Sequence, residues 1–124
     1  MNIKILVVDD EADITTVLKR GLEKAGFEVD GFTDPNEAAE KIVPGKYAML
    51  ITDIRMPGMN GFELYRRAKK RDQNVKVSFM TAFEIYRDEF LKILPNIDVE
   101  CFFTKPVRMN DMVSRIKIEL GLTI

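Results

Sequence analysis

Five short apolar stretches, at residues 3–8, 29–33, 47–52, 75–81 and 99–103, punctuate the chain, and the first, third and fourth are nearly unbroken in Ile, Val, Leu, Met and Phe. A strand with one wet face alternates apolar and polar side chains. A continuously apolar strand needs cover on both faces, which a parallel sheet flanked by helices provides. Segments of helical periodicity separate the stretches. In the first, Ile14, Val17, Leu18, Gly21, Leu22 and Ala25 fall on one stripe while Lys19, Glu23 and Lys24 point away, and Gly26 supplies a stop. Asp34-Pro35-Asn36-Glu37 reads as an N-cap, a proline at the first helical position and a capping-box acid, opening a second helix that runs to about Val43 before Pro44-Gly45. A third helix begins near Asn60 or Gly61 and carries Leu64, Tyr65 and Ala68 inward. A fourth, over 84–94, is apolar around much of its circumference, and a fifth, over 109–120, sets Met109, Met112, Val113, Ile116 and Leu120 on one stripe. Strands alternating with helices predict right-handed βαβ units and a doubly wound α/β fold, a (βα)5 three-layer sandwich on a five-stranded parallel sheet.

The 124 residues suit one domain over 1–124 with one core. Nineteen basic residues against twenty acidic ones leave a formal charge of −1, so no global field recruits nucleic acid or anionic lipid. The early apolar run over 5–8 is followed at once by acids and is too short for a signal peptide or membrane span, so a cytoplasmic location with no membrane contact is expected. Cys101 has no internal partner and sits in an apolar run, as a small buried side chain would. The chain has no histidine, which removes Ser-His catalysis and histidine-ligated zinc. Any phosphohistidine must come from a partner. The one dense basic run, Arg66-Arg67-Ala68-Lys69-Lys70-Arg71, reads as the solvated end of the third helix, with no direct nucleic-acid contact expected.

Ligands of open α/β sheets gather beyond the carboxyl ends of the strands. Asp9, Asp10 and Glu11 follow the first strand, Asp53 the third, Thr81 the fourth, and Thr104, Lys105 and Pro106 the fifth. Each has a plain alternative: an acid capping the first helix, a solvated lysine, a strand-end hydroxyl. Their joint placement is what points to a site. Two carboxylates about 5 Å apart repel by roughly 3 kcal/mol at an effective dielectric near 20, which a divalent cation relieves. With oxygen as the only candidate donor, Mg2+ is favoured, with Mn2+ as a substitute, and Lys105 adds a compact positive charge for an anion.

At these residues the sequence resembles the response-regulator receiver family. The likeness rests on Ile5-Leu6-Val7-Val8-Asp9-Asp10-Glu11, on Asp53-Ile54-Arg55-Met56-Pro57-Gly58-Met59-Asn60-Gly61, on Met80-Thr81-Ala82 and on Phe102-Phe103-Thr104-Lys105-Pro106. The resemblance implies a flavodoxin-like sheet of order 2-1-3-4-5. It implies that Asp53 accepts a phosphoryl group from the phosphohistidine of a sensor histidine kinase or phosphotransfer protein. Asp10 is then a direct ligand of Mg2+, Asp9 reaches it through water, and Arg55 contributes a backbone carbonyl. Lys105 and Thr81 hold phosphoryl oxygens, Thr81 and Phe102 act as the switch, and the Lys105-Pro106 bond is similar to one that is cis. The signal is then read out on the face of the fourth helix, fifth strand and fifth helix. The excess of apolar residues over 84–94 points to that face as a docking surface for a second copy, giving a homodimer, or for another protein. Bulky Phe83, two positions after Thr81, is expected to slow loss of the phosphoryl group.

Two rivals remain beside this reading. One is a binding module of the same fold that is never phosphorylated. The other is an aspartyl-nucleophile phosphatase, disfavoured because Arg55 stands where such enzymes place a second acid. Flavin binding is disfavoured too, since no Ser/Thr/Gly-rich phosphate loop follows the first strand.

Overall fold

The computed structural model describes residues 2–82 and 101–122. The helix predicted over 84–94, Phe83 and the Cys101 side chain lie outside the described residues. In chain order the elements are β1 (Lys4–Val8), α1 (Ala12–Lys24), β2 (Glu28–Phe32), α2 (Pro35–Lys41), β3 (Met49–Asp53), α3 (Gly61–Arg71), β4 (Lys76–Thr81), β5 (Cys101–Thr104) and α4 (Met109–Glu119), the last being the fifth helix of the sequence reading. All five strands pair in parallel in the order β2-β1-β3-β4-β5, as the resemblance implied.

The unbroken apolar runs are explained by cover on both sides. Ile5 to Val8 and Met49 to Ile51 are fully buried. Because successive strand side chains face opposite ways, they divide between two cores. Ile5, Val7, Met49, Ile51 and Met80 pack with Leu18 and Leu22 of α1 and Met112 and Ile116 of α4. Leu6, Val8, Leu50, Val77 and Phe79 pack with Ala38 and Ala39 of α2 and Leu64 and Ala68 of α3. Helices on both faces of one sheet make the three layers expected.

Local signals behave as their chemistry dictates. The Asp34 side chain accepts the amide of Asn36 at 2.9 Å, with Pro35 at the first helical position. Asn60 caps α3 by accepting the amides of Phe62 and Glu63, both at 3.0 Å. Two expectations are corrected. Val17, assigned to the inward stripe of α1, is 58% exposed, because α1 buries only the narrower row of Thr15, Leu18 and Leu22. The second helix stops at Lys41, and Val43 is exposed.

The basic run also differs from a purely solvated helix end. Arg71 donates through Nε to the Ile42 carbonyl at 2.7 Å and through Nη2 to the Glu40 carbonyl at 3.2 Å, and Lys69 Nζ donates to the Val75 carbonyl. These cations tie the end of α3 to the end of α2 and the start of β4, answering carbonyls that helix ends leave open. Among the described residues no helix is long and apolar enough to cross a membrane.

The start of α3 presses on the end of β3. Gly61 donates its amide to the Ile54 carbonyl at 2.8 Å. A Cβ there would collide with the Asp53 carbonyl oxygen and lie 3.0 Å from Ile54 Cα, both backbone atoms that cannot turn aside. Gly61→Ala is therefore expected to lower stability by about 1–3 kcal/mol, as overpacking does. Urea unfolding of the variant against the wild type measures it, and an unchanged midpoint would contradict this close approach.

Candidate functional site at the carboxyl ends of β1 and β3

In the order β2-β1-β3-β4-β5 the connections leave β1 in opposite directions, so the crevice beyond β1 and β3 is where an open sheet accepts a ligand. The register places the acids there. Val8 pairs with Thr52, so the next residues along, Asp9 and Asp53, emerge side by side. One carboxylate oxygen from each of Asp9, Asp10 and Asp53 lies within 4.8 Å of the other two. Asp9 and Asp53 are buried and Asp10 is exposed.

Lys105 joins them from the far side of the sheet. It follows β5, and its amide donates to the Thr81 carbonyl at 2.8 Å, fastening this loop to the end of β4. Its Nζ then stands 2.7 Å from Asp9 Oδ2 and 2.9 Å from Asp53 Oδ2. The Lys105-Pro106 bond is cis. Thr81, the last residue of β4, is buried and pairs with Thr104. The sequence-selected Asp9, Asp10, Asp53 and Lys105 thus meet at one rim, with Thr81 at the adjacent strand end. Arg55 is exposed in the loop just after β3, and Phe102 packs behind the rim against Phe79, ring centroids 5.7 Å apart.

Neither acid caps α1 in the simple sense. The N-cap is Glu11, without a side-chain cap bond, while Asp9 Oδ1 accepts the Glu11 amide at 2.9 Å. Asp53 Oδ1 accepts the amide of its neighbour Ile54 at 2.8 Å. Burial pushes the Asp53 carboxyl above its ordinary range. Lys105 and the Ile54 amide pull it down, the Asp9 charge pushes it up, and the balance stays upward. Burial pulls the Lys105 ammonium down, but its two carboxylate partners outweigh that and hold it above its ordinary value.

Asp9 Oδ2, fully buried, accepts no hydrogen bond of good geometry. The Lys105 ammonium stands 2.7 Å from it and answers it as a charge. A buried carboxylate oxygen costs several kcal/mol unless a cation answers it, and the one ammonium here is shared between Asp9 and Asp53. Three carboxylates exceed what one ammonium neutralises, and all the donors are oxygens. The cluster therefore fits a hard divalent ion of the Mg2+ type, which takes one or two carboxylates and keeps waters.

Reading by sequence missed Thr15, whose hydroxyl donates to the Asp9 carbonyl at 2.9 Å. Its helical spacing with Leu18 and Leu22, as a polar residue in a buried row, was the signal available.

Known proteins carry the same arrangement of strands and helices. A receiver-domain structure from Methanospirillum hungatei, described as CheY-like, superposes with a TM-score of 0.87 at 28% identity, covering 98% of this chain and 95% of that one. The response regulator receiver protein CpdR of Brucella abortus is 33% identical over 117 residues, spanning 92% of this chain and 93% of CpdR. The regulatory protein VanRB of Enterococcus faecalis is 32% identical, and the chain spans 52% of its length. The family model for the response regulator receiver domain matches residues 5–117, a span that holds every acid of the rim together with Thr81 and Lys105. The chain belongs to the response-regulator receiver domain family of two-component signalling.

Proposed function

We propose that residues 1–124 form one cytoplasmic receiver unit in which Asp53 takes a phosphoryl group from the phosphohistidine of a sensor histidine kinase or phosphotransfer protein. The observation that carries this reading is the buried Asp53 carboxylate, 2.9 Å from Lys105 Nζ and within 4.8 Å of carboxylate oxygens of Asp9 and Asp10. An Asp53 oxygen attacks phosphorus in line, the P–O bond forms as the donor's P–N bond breaks, and the imidazole leaves with the electron pair. Little covalent work falls to the protein beyond the nucleophile, so positioning and charge supply most of the catalysis.

Lys105 is suited to the equatorial phosphoryl oxygens, because its ammonium is already held beside Asp53 and needs no reorganisation. The Thr81 hydroxyl offers a second donor from the neighbouring strand end. Asp9, Asp10 and Asp53, with the Arg55 carbonyl, would hold Mg2+ or Mn2+. Such an ion would supply positive charge against the transferring group and the crowded acids. The packing of Phe102 on Phe79 supports a role in carrying the change from Thr81 to the face around β5 and α4. Partner or second-copy docking on that face is part of the same proposal.

Acetyl phosphate with Mg2+ should add one phosphoryl mass to the wild type and none to Asp53→Asn, read by intact mass spectrometry. Equal gain in both proteins would move the acceptor elsewhere, and no gain in either would favour a module that binds without being phosphorylated. Lys105→Ala should slow phosphorylation on the order of a hundredfold, the usual loss when one preorganised charge donor is removed. A rate within a few-fold of wild type would remove Lys105 from the chemistry.

The upward shift of Asp53 has a consequence for stability. The folded protein holds that proton at pH values where the unfolded chain has released it. Stability therefore falls as pH rises from the unfolded value of 3.8 through the folded one. At pH 7 in EDTA the ionised group is a net burden, and Asp53→Asn should melt a few degrees above wild type. Scanning calorimetry decides it; a lower melting point for the variant would show that the Lys105 pair outweighs the burial.

A further inference from the structure

From the contacts around the β1–α1 turn we infer that Thr15 is a positioning residue for the acidic rim, setting the Asp9–Asp10 peptide, and that Gly31 on the neighbouring strand exists to admit it. The inference rests on the reading of Asp9 and Asp10 as holders of a divalent cation. Thr15 is buried on α1, and its hydroxyl has two carbonyls within reach, Asp9 at 2.9 Å and Glu11 at 3.3 Å. A helical threonine ordinarily bonds back to the carbonyl four residues earlier, which here is Glu11. That oxygen already accepts the Thr15 amide at 3.1 Å. The shorter bond runs past the helix to the end of β1.

The bond matters because of which peptide it grips. The Asp9 amide donates to the Phe32 carbonyl of β2 at 3.2 Å, and Asp9 Oδ1 accepts the Glu11 amide. The peptide group between Asp9 and Asp10 is planar, so holding its carbonyl fixes the plane from which Asp10 departs. Asp10 is exposed and has less packing around it to hold its direction. With the Thr15 hydroxyl in place, the two acids keep one mutual orientation. Without it, the peptide can rotate and the cluster loosens.

The methyl group of Thr15 supplies the second observation. A β-branched side chain is stiff at χ1, so aiming Oγ1 at Asp9 also commits Cγ2, which points at β2. A Cβ on Gly31 would lie 2.7 Å from that methyl, closer than real contacts allow. Gly31 has no positive φ that would demand glycine, and glycine weakens a strand interior. Its presence answers the close approach of Thr15.

Mg2+ affinity, read from melting temperature across a Mg2+ series and against EDTA, separates positioning from mere packing. Thr15→Val keeps shape and methyl but loses the hydroxyl, and should weaken Mg2+ binding on the order of tenfold, the scale for groups that orient ligands. Thr15→Ser keeps the hydroxyl and should bind close to wild type. Gly31→Ala should weaken binding in the Thr15 background and be harmless in Thr15→Ser, where the obstructing methyl is gone. Equal affinity in wild type and Thr15→Val, equal losses in Thr15→Val and Thr15→Ser, or no rescue of Gly31→Ala by Thr15→Ser would each overturn the inference while leaving the metal reading intact. A wild type whose melting point ignores Mg2+ would remove the metal reading and this inference together.

Discussion

One ammonium between two buried carboxylates organises this molecule. Lys105 reaches from the end of β5 across the end of β4 to stand within 3 Å of acids at the ends of β1 and β3. Removing the ammonium would leave two carboxylates uncompensated in a poorly solvated place, at a cost of several kcal/mol. The rim is therefore a coupled unit. Its residual negative charge makes a cation welcome, and its ammonium makes an anion welcome. Those two demands together suit phosphoryl chemistry far better than either would alone.

The rest of the fold holds that unit still. β1, β3 and β4 are almost completely enclosed, with apolar side chains packed into helix layers on both faces. Rigid central strands end at the same edge, so residues one step beyond them inherit little freedom. Where the turns leave the strands, close contacts take over. Gly61 lets α3 start against the backbone of Asp53 and Ile54, and Gly31 leaves room for Thr15 beside the β1–α1 turn. Backbone amides of Glu11 and Ile54 then fix one oxygen of Asp9 and one of Asp53. Each acid keeps its other oxygen directed into the rim.

Much of this could be read from the chain. Apolar runs, proline and glycine punctuation, and the caps at Asp34 and Asn60 act over a few residues and located the described elements within about two residues of their ends. Val17 shows where the reading fails: apolar spacing marks a helix face but not its width, and only the neighbours of α1 decide that Thr15 is buried instead. The basic run misled in a similar way, since whether a lysine is solvated or fastened to a carbonyl depends on another helix end arriving beside it.

The described elements, the two-sided burial of the central strands, and the placing of acids and a lysine immediately after strands are all legible in the chain, because those properties follow from local periodicity and the direction of the chain. Tertiary structure alone decided the distances. Asp53 and Lys105 are 52 positions apart, and only the lateral pairing and register of parallel strands can bring their charged atoms within 3 Å. It also decided that the Thr15 hydroxyl would find the Asp9 carbonyl, a contact made by the packing of α1 against the sheet.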